Sequence, residues 1–250
     1  MTKHEAGWRE EQVAGHACHV FTPAQLNAHG FVVLYLHGVH EQTLHGQRGF
    51  IDAFEKHGLP CVCPMTGPSW WTERQTPAFD ARFSPIAHVR ENVLPFLAEQ
   101  FGSRPPQIGV LGTSMGGQGA LRLAYRFPDQ FPVVAAISPA IDYHLRIREG
   151  DEILLDMYGD AESARQDTVI LHIHPLNWPR QQFFCCDPAD YRWHASVERL
   201  RMKLWALGVP HECDLETTGG GHGFEYYNRL APRAVGFLAE RLERERLRVP

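Results

Sequence analysis

Gly112-Thr113-Ser114-Met115-Gly116, followed by Gly117, fits the pattern GxSxG. A serine hydroxyl is a weak nucleophile at neutral pH and becomes reactive where a base can take its proton. A sharp turn from strand to helix gives such a serine its setting: the hydroxyl is lifted clear of a sheet, and the helix dipole favours negative charge developing there. That turn leaves no room for side chains two residues to either side of Ser114, where Gly112 and Gly116 stand. The plainer reading is a glycine-rich turn with a capping serine.

Fifteen histidines compete to be the base. His222 follows Gly219-Gly220-Gly221, a run whose backbone can bend enough for an imidazole to reach back over the end of a sheet. A third group must fix the imidazole tautomer and stabilise the imidazolium, and the chain order Ser, acid, His puts it between Ser114 and His222. Asp187-Pro188-Ala189-Asp190 supplies two carboxylates. Asp190, at the tip of the turn, is preferred to Asp187, whose place before Pro188 also suits an aspartate that starts a turn by bonding backbone. An oxyanion would be held by two backbone N–H groups: that of Met115, and one from the loop His37-Gly38-Val39, where Gly38 allows a turn that aims Val39.

The elements that position these residues follow from apolar patterning. Residues 31–36, 59–63, 107–111, 133–137, 181–186 and 211–215 read as short, mostly buried strands. Residues 17–21 suggest a further strand paired with 31–36. Residues 49–57, 85–101, 115–127, 195–207 and 226–246 have helical spacing, with Gly58 and Gly208 as stops and Pro95 expected to kink or break the second. Alternating strands and helices imply an α/β fold: a mostly parallel central sheet with helices on both faces, and ligands outside the carboxyl ends of the strands. Residues 1–250 read as one domain, with residues 1–25 unplaced.

The composition excludes several classes. The chain has 250 residues, 44% hydrophobic and 21% charged, with a net charge of −5, which is globular and gives no basic surface for nucleic acid or an anionic membrane. The longest apolar run is far too short to span a bilayer, and no signal-like segment opens the chain, so the expected location is cytoplasmic. Six cysteines in a chain with room for a sizeable core are expected as free, mostly buried thiols. The clusters His16-Ala17-Cys18-His19 and His37, His40, His45 lack paired metal-ligand spacing, so no metal is expected.

Leu36-His37-Gly38, the Ser114 elbow, Ser138-Pro139, the aspartate turn and Gly219-Gly220-Gly221-His222 together resemble the α/β-hydrolase fold. More narrowly they are similar to the esterase family that includes esterase D, feruloyl and acetylxylan esterases and mycolyltransferases, over about residues 30 to 240. The resemblance implies ester hydrolysis or acyl transfer without metal or organic cofactor. In that family the turn aspartate lies a few residues after the strand, which favours Asp190. The loop His37-Gly38-Val39-His40-Glu41 departs from the cysteine-containing loop of S-formylglutathione hydrolases.

The expected function is therefore a serine carboxylesterase with Ser114, His222 and Asp190 as its triad, acting on a small-molecule or carbohydrate-linked ester. An acyltransferase or thioesterase using the same groups is the alternative, and a non-catalytic binding module on the same fold is the alternative from another class. Trp70-Trp71, and Trp178 elsewhere, either line the mouth of the site or pin long loops to the body of the fold. Arg82, Phe83, Ser84 and Pro85 are further candidates for that mouth. The oligomeric state is not written in the sequence.

Overall fold

Strand residues of alternating parity feed two separate cores. Val32, Leu34 and Leu36 pack into one, Val33 and Tyr35 into the other; Val110 and Leu111, Val134 and Ala135, and Phe184 and Phe183 divide in the same way. Side chains alternate across a strand, so runs apolar at every position demand cover on both faces. In the computed structural model, which describes residues 6–248, these runs are β3 (Val32–Leu36), β5 (Ile108–Thr113), β6 (Val133–Ile137) and β7 (Gln181–Cys185). With β1 (Gly7–Val13), β2 (His16–Thr22), β4 (Cys61–Pro64) and β8 (Glu212–Asp214) they form one sheet ordered β1-β2-β4-β3-β5-β6-β7-β8. The six strands from β4 to β8 in that order run parallel, and β2 is antiparallel to both β1 and β4.

The expected pairing of residues 17–21 with β3 does not occur. Both sides of β3 are taken, by β4 and β5, so β2 pairs outside β4, with Cys18 opposite Pro64 and Phe21 opposite Cys61. Within residues 1–25, β1 completes an antiparallel ribbon with β2, and residues 1–5 lie outside the described residues.

Helices α1 (Arg48–His57) and α9 (Phe224–Arg248) cover one face through Phe50, Phe54, Tyr226, Leu230 and Leu238. The other face carries α2 (Pro85–His88), α3 (Leu94–Phe101), α4 (Met115–Arg126), and, further along, α8 (His194–Ala206). Pro95 does not break its helix. A π-turn, Val89–Val93, closed by Leu94 N–H to the Val89 carbonyl, precedes it, and Pro95 then sits in the first turn of α3, where an N–H is not required.

Between β6 and β7 lie the short helices α5 (Leu145–Arg148), α6 (Glu152–Tyr158) and α7 (Ala161–Arg165), which the sequence pattern did not reveal. A buried charge ties this segment to the body. The Arg122 side chain, fully buried in α4, lies 2.8 Å from Glu73 and 3.1 Å from Asp167, and donates to the Tyr143 hydroxyl at 3.1 Å. Tyr158 in turn donates to Asp167 at 2.6 Å. Glu73 belongs to the loop after β4, so one guanidinium holds two long loops against α4. Removing it deprives the buried Tyr143 hydroxyl and the half-buried carboxylates of Glu73 and Asp167 of their shared partner. Arg122→Ala is expected to cost about 3–5 kcal/mol, measured as the loss of unfolding free energy in urea; a cost near zero would show that the network holds nothing.

Candidate active site

The parallel register brings the carboxyl ends of the central strands level, with Leu36 opposite Gly112, Thr113 opposite Ile137, and Ile137 opposite Cys185. Each strand then hands its chain to a loop on the same rim. After β5 the chain turns at Ser114, with φ 54° and ψ −120°, straight into α4. A positive φ is uncommon for a residue with a side chain and is held here by its surroundings. Ser114 N–H donates to Ile137 O at 3.0 Å, and Ser114 O accepts from Ala140 N–H at 3.0 Å. The two flanking glycines are sterically required. A Cβ on Gly112 would stand 2.0 Å from Gly116 O, and one on Gly116 would stand 1.8 Å from Leu36 O.

His222 Nε2 lies 2.8 Å from Ser114 Oγ, and His222 Nδ1 lies 2.6 Å from Asp190 Oδ2. The imidazole is a third exposed, whereas the Asp190 side chain is 1% exposed. Asp190 Oδ1 also accepts from Trp193 N–H at 3.3 Å, and the Cys186 thiol faces Oδ2 at 3.6 Å. A hydroxyl, an imidazole and a buried carboxylate in one line can move a proton off the hydroxyl and stabilise the cation that results.

Asp187, the other candidate acid, is fully buried and points elsewhere. Its Oδ2 accepts from Gly219 N–H at 2.6 Å and Gly221 N–H at 2.9 Å, and its Oδ1 accepts from Ala189 N–H at 2.7 Å. Gly220 and Gly221, at φ 88° and 81°, give the loop the curvature that brings those amides to one oxygen. Burial pushes the Asp187 carboxyl up, yet the three backbone donors outweigh it and hold the pKa below the usual range. The aspartate turn thus divides its work: Asp190 meets the imidazole, and Asp187 shapes the loop that carries it.

On the other side of Ser114, Gly38 comes so near that a Cβ there would lie 3.5 Å from Ser114 Cβ. Gly38 and Val39 line the same cleft as Ser114 and His222. Met115 is the first residue of α4, where an N–H has no intrahelical acceptor. The loop of Val39 rests on His37, which is wholly buried. His37 Nδ1 lies 2.8 Å from Gly38 O, and Nε2 lies 3.1 Å from Thr66 N. Thr66 N–H can only donate, so Nε2 accepts and Nδ1 carries the proton to Gly38 O. Burial lowers the His37 pKa to about 4 despite that bond, so the ring is neutral.

The cleft above Ser114 has a volume of about 350 Å³. Trp70 forms part of its wall, is 1% exposed, and packs its ring on Tyr143 at 5.4 Å. Trp71 does not line it; of the two alternatives left open for this residue, it takes the part of pinning its loop to the body of the fold. Its indole N–H donates to His37 O at 3.0 Å, and a Cβ on Gly119 would stand 2.4 Å from Trp71 Cβ, so the ring lies against α4 beneath the Val39 loop. Both tryptophans have positive φ, at 56° and 47°. Trp70 is clamped by its N–H to Met115 Sδ at 3.3 Å and by its carbonyl, which accepts from the Gln118 side chain. Trp178 packs on the core outside the cleft. Ser84 caps α2, accepting from Ala87 N–H at 3.1 Å, and does not line the cleft either.

Tyr227, Trp193, Arg146 and Arg192 also line the cleft and were not singled out in the sequence. The Tyr227 ring stands perpendicular to His222 at 5.6 Å, and burial holds its hydroxyl well above the usual pKa, against the pull of a hydrogen bond with the Ser114 side chain. Its place early in the closing helix, just after His222, was the available signal. Among the described residues no group of three or more His, Cys, Asp or Glu could hold a metal ion, and no helix is long and apolar enough to cross a membrane. His16 lies 2.8 Å from Asp80 and packs on Phe79 and His88.

A mostly parallel sheet with a serine elbow after a central strand and histidine and acid on later loops defines an α/β-hydrolase. Solved structures share the whole fold. An S-formylglutathione hydrolase from Agrobacterium tumefaciens superposes with a TM-score of 0.75 at 16% identity, over 96% of this chain and 98% of that one. FphF, a fluorophosphonate-binding serine hydrolase of Staphylococcus aureus, gives 0.70 at 16% identity, over 93% and 97%. A family model described as "Putative esterase" matches residues 29–229, and the chain belongs to that family. Among curated proteins, the S-formylglutathione hydrolase of Mus musculus is 26% identical over 117 residues, a stretch of 40% of this chain and 42% of that relative, less than half the length of either.

The neutral, buried His37 makes stability depend on pH. Unfolded, the ring takes a proton at about pH 6.5; folded, it resists until about pH 4. The unfolded chain therefore binds the extra proton first, and stability falls as pH drops from about 6.5 towards 4. By about pH 5 this single group is expected to cost on the order of 2 kcal/mol relative to pH 7, read as a lower urea midpoint. A midpoint that does not decline over that range would contradict the neutral assignment.

Proposed function

We propose that the protein is a serine carboxylesterase and that Ser114, His222 and Asp190 are its triad. The observation that carries the reading is the unbroken line from Ser114 Oγ through His222 to Asp190, at 2.8 and 2.6 Å, at the base of a cleft. Membership of the esterase family supports it.

Ser114 Oγ attacks the ester carbonyl while His222 Nε2 takes the hydroxyl proton. The tetrahedral oxyanion is received by the N–H groups of Val39 and Met115, and charge forming there is favoured by the start of α4. Collapse of the intermediate breaks the bond to the alcohol, to which His222 returns the proton. Water then attacks the acyl carbon as His222 takes its proton, and collapse breaks the bond to Ser114 Oγ, to which His222 returns that proton as the acid leaves. Asp190 remains ionised throughout and holds Nδ1–H, so that Nε2 is the basic nitrogen. The open face of His222 supports water as the second acceptor.

A cleft of about 350 Å³ lies at the small end of ligand pockets, which supports a small-molecule ester or the ester group of a carbohydrate-linked one. One sheet gathering strands from Gly7 to Asp214 supports a single domain. The six cysteines, all unpaired, suit a reducing compartment and so a cytoplasmic location.

Turnover of p-nitrophenyl esters from acetate to octanoate tests the proposal. Ser114→Ala is expected to lower kcat by about 10⁴-fold or more, and Asp190→Asn by about 10⁴-fold. Asp187→Asn is expected to cost far less, because Asp187 supports the loop and not the imidazole itself. Full activity in Ser114→Ala, or equal losses at the two aspartates, would overturn these roles.

A further inference from the structure

Resting on the esterase reading, we infer that the preferred substrate is an ester that also carries an anionic group, such as a carboxylate, and that Arg146 and Arg192 bind this group. Among the described residues that line the cleft, two are arginine and none is Asp or Glu. They reach it from separate parts of the chain, Arg146 from α5 and Arg192 from the turn between the triad acid and α8.

Each guanidinium is set in place on the side away from the cleft. Arg146 Nε lies 2.8 Å from Asp151, a largely buried carboxylate that also caps α6 by accepting from Leu154 N–H at 3.1 Å. The same guanidinium lies 5.6 Å over the Trp70 ring. Arg192 Nη1 lies 2.6 Å from Glu149 and its guanidinium 5.6 Å over the Trp193 ring. Asp151 and Glu149 are not in the cleft lining. Each of these ion pairs engages one nitrogen of a fork that has five N–H donors, and both arginines are partly exposed, so further donors can meet a ligand.

Trp70 and Trp193 both line the cleft, so each arginine lies over an aromatic ring of the lining. The exposed pair of Arg192 with Glu149 is weak enough to rearrange around a ligand. Two forks in a small cleft, one held by a largely buried carboxylate and the other free to adjust, with no carboxylate lining the cleft, form a receptor for a planar or tetrahedral anion. They also raise the local concentration of anionic substrates. A neutral ester would leave the remaining N–H donors of both forks without an anionic acceptor in the cleft.

Two matched pairs of substrates test this, each rate divided by that of hydroxide alone. p-Nitrophenyl hydrogen adipate against p-nitrophenyl hexanoate places the charge on the acyl side; 4-acetoxybenzoate against its methyl ester places it on the leaving side. Wild-type protein is expected to favour the charged member by about tenfold or more in kcat/KM in one pair, which assigns the side, and raised salt is expected to shrink the preference. The ratio should fall towards one in Arg146→Gln/Arg192→Gln and be partly kept in Arg146→Lys/Arg192→Lys, with fluorophosphonate labelling of Ser114 showing that each variant has folded its site. A ratio near one in both pairs, or one unchanged by the glutamine variant, overturns the inference while hexanoate turnover leaves the esterase reading standing. Failure to turn over any of the four esters overturns the esterase reading itself, and the inference with it.

Discussion

The close approach of the first turn of α4 to the ends of β3 and β5 is the constraint on which the site depends. Gly116 lies so near Leu36 O, and Gly112 so near Gly116 O, that neither position can hold a methyl group. This contact fixes Ser114 in its positive-φ conformation, leaves the Met115 N–H at a helix start, and brings Gly38 against the Ser114 side chain. Without it the serine, the helix terminus and the Val39 loop would have no common vertex. Trp71 adds a second layer, because its ring fills the space that a side chain on Gly119 would need and its indole N–H holds the carbonyl of His37.

The groups proposed to react are partly exposed, and each is supported by a buried polar group that does not react. His37 holds the Val39 loop through Gly38 O and Thr66 N–H. Asp187 holds the triglycine loop through two amides, and Arg122 ties the loops of Glu73 and Asp167 to the helix that begins at the nucleophile. Buried polar groups are costly unless bonded, so each of these anchors restricts its loop to the geometry in which the bonds are made. The division between Asp187 and Asp190 shows how small the sequence difference can be: the two stand in one turn, one bonded to backbone amides and the other to the imidazole.

Much of this could be read from the chain. The parallel strands announce themselves as short, wholly apolar runs, because a strand buried on both faces needs no polar alternation, and the elbow and triglycine loop are marked by steric needs that only glycine meets. What escaped notice depends on long-range contacts. Strand β1 (GWREEQV) is an edge strand, half exposed, and its charged residues hide any period of two. Helices α5 to α7 are only four to seven residues long, too short for buried apolar positions such as Leu154, Met157 and Ala164 to show a helical period, and the contacts of Tyr143, Tyr158 and Asp167 with one another and with Arg122 come from distant parts of the chain. The same holds within the cleft: Arg146 and Arg192 lie far apart in sequence, and only the fold brings them to one cleft. For Trp71 the sequence left two alternatives open, the mouth of the site or a pin for its loop, and the second holds because burying the indole beneath the neighbouring loop contributes more than leaving it in water.

The nucleophile is the centre on which every other role turns. Intact-protein mass after incubation with a fluorophosphonate, followed by peptide mapping, addresses it directly, since such a reagent modifies a serine only where a base has activated it. The expected result is a single adduct on Ser114 in the native protein and none after denaturation. An adduct on another residue, or no adduct on a folded protein, would contradict Ser114 as the activated nucleophile.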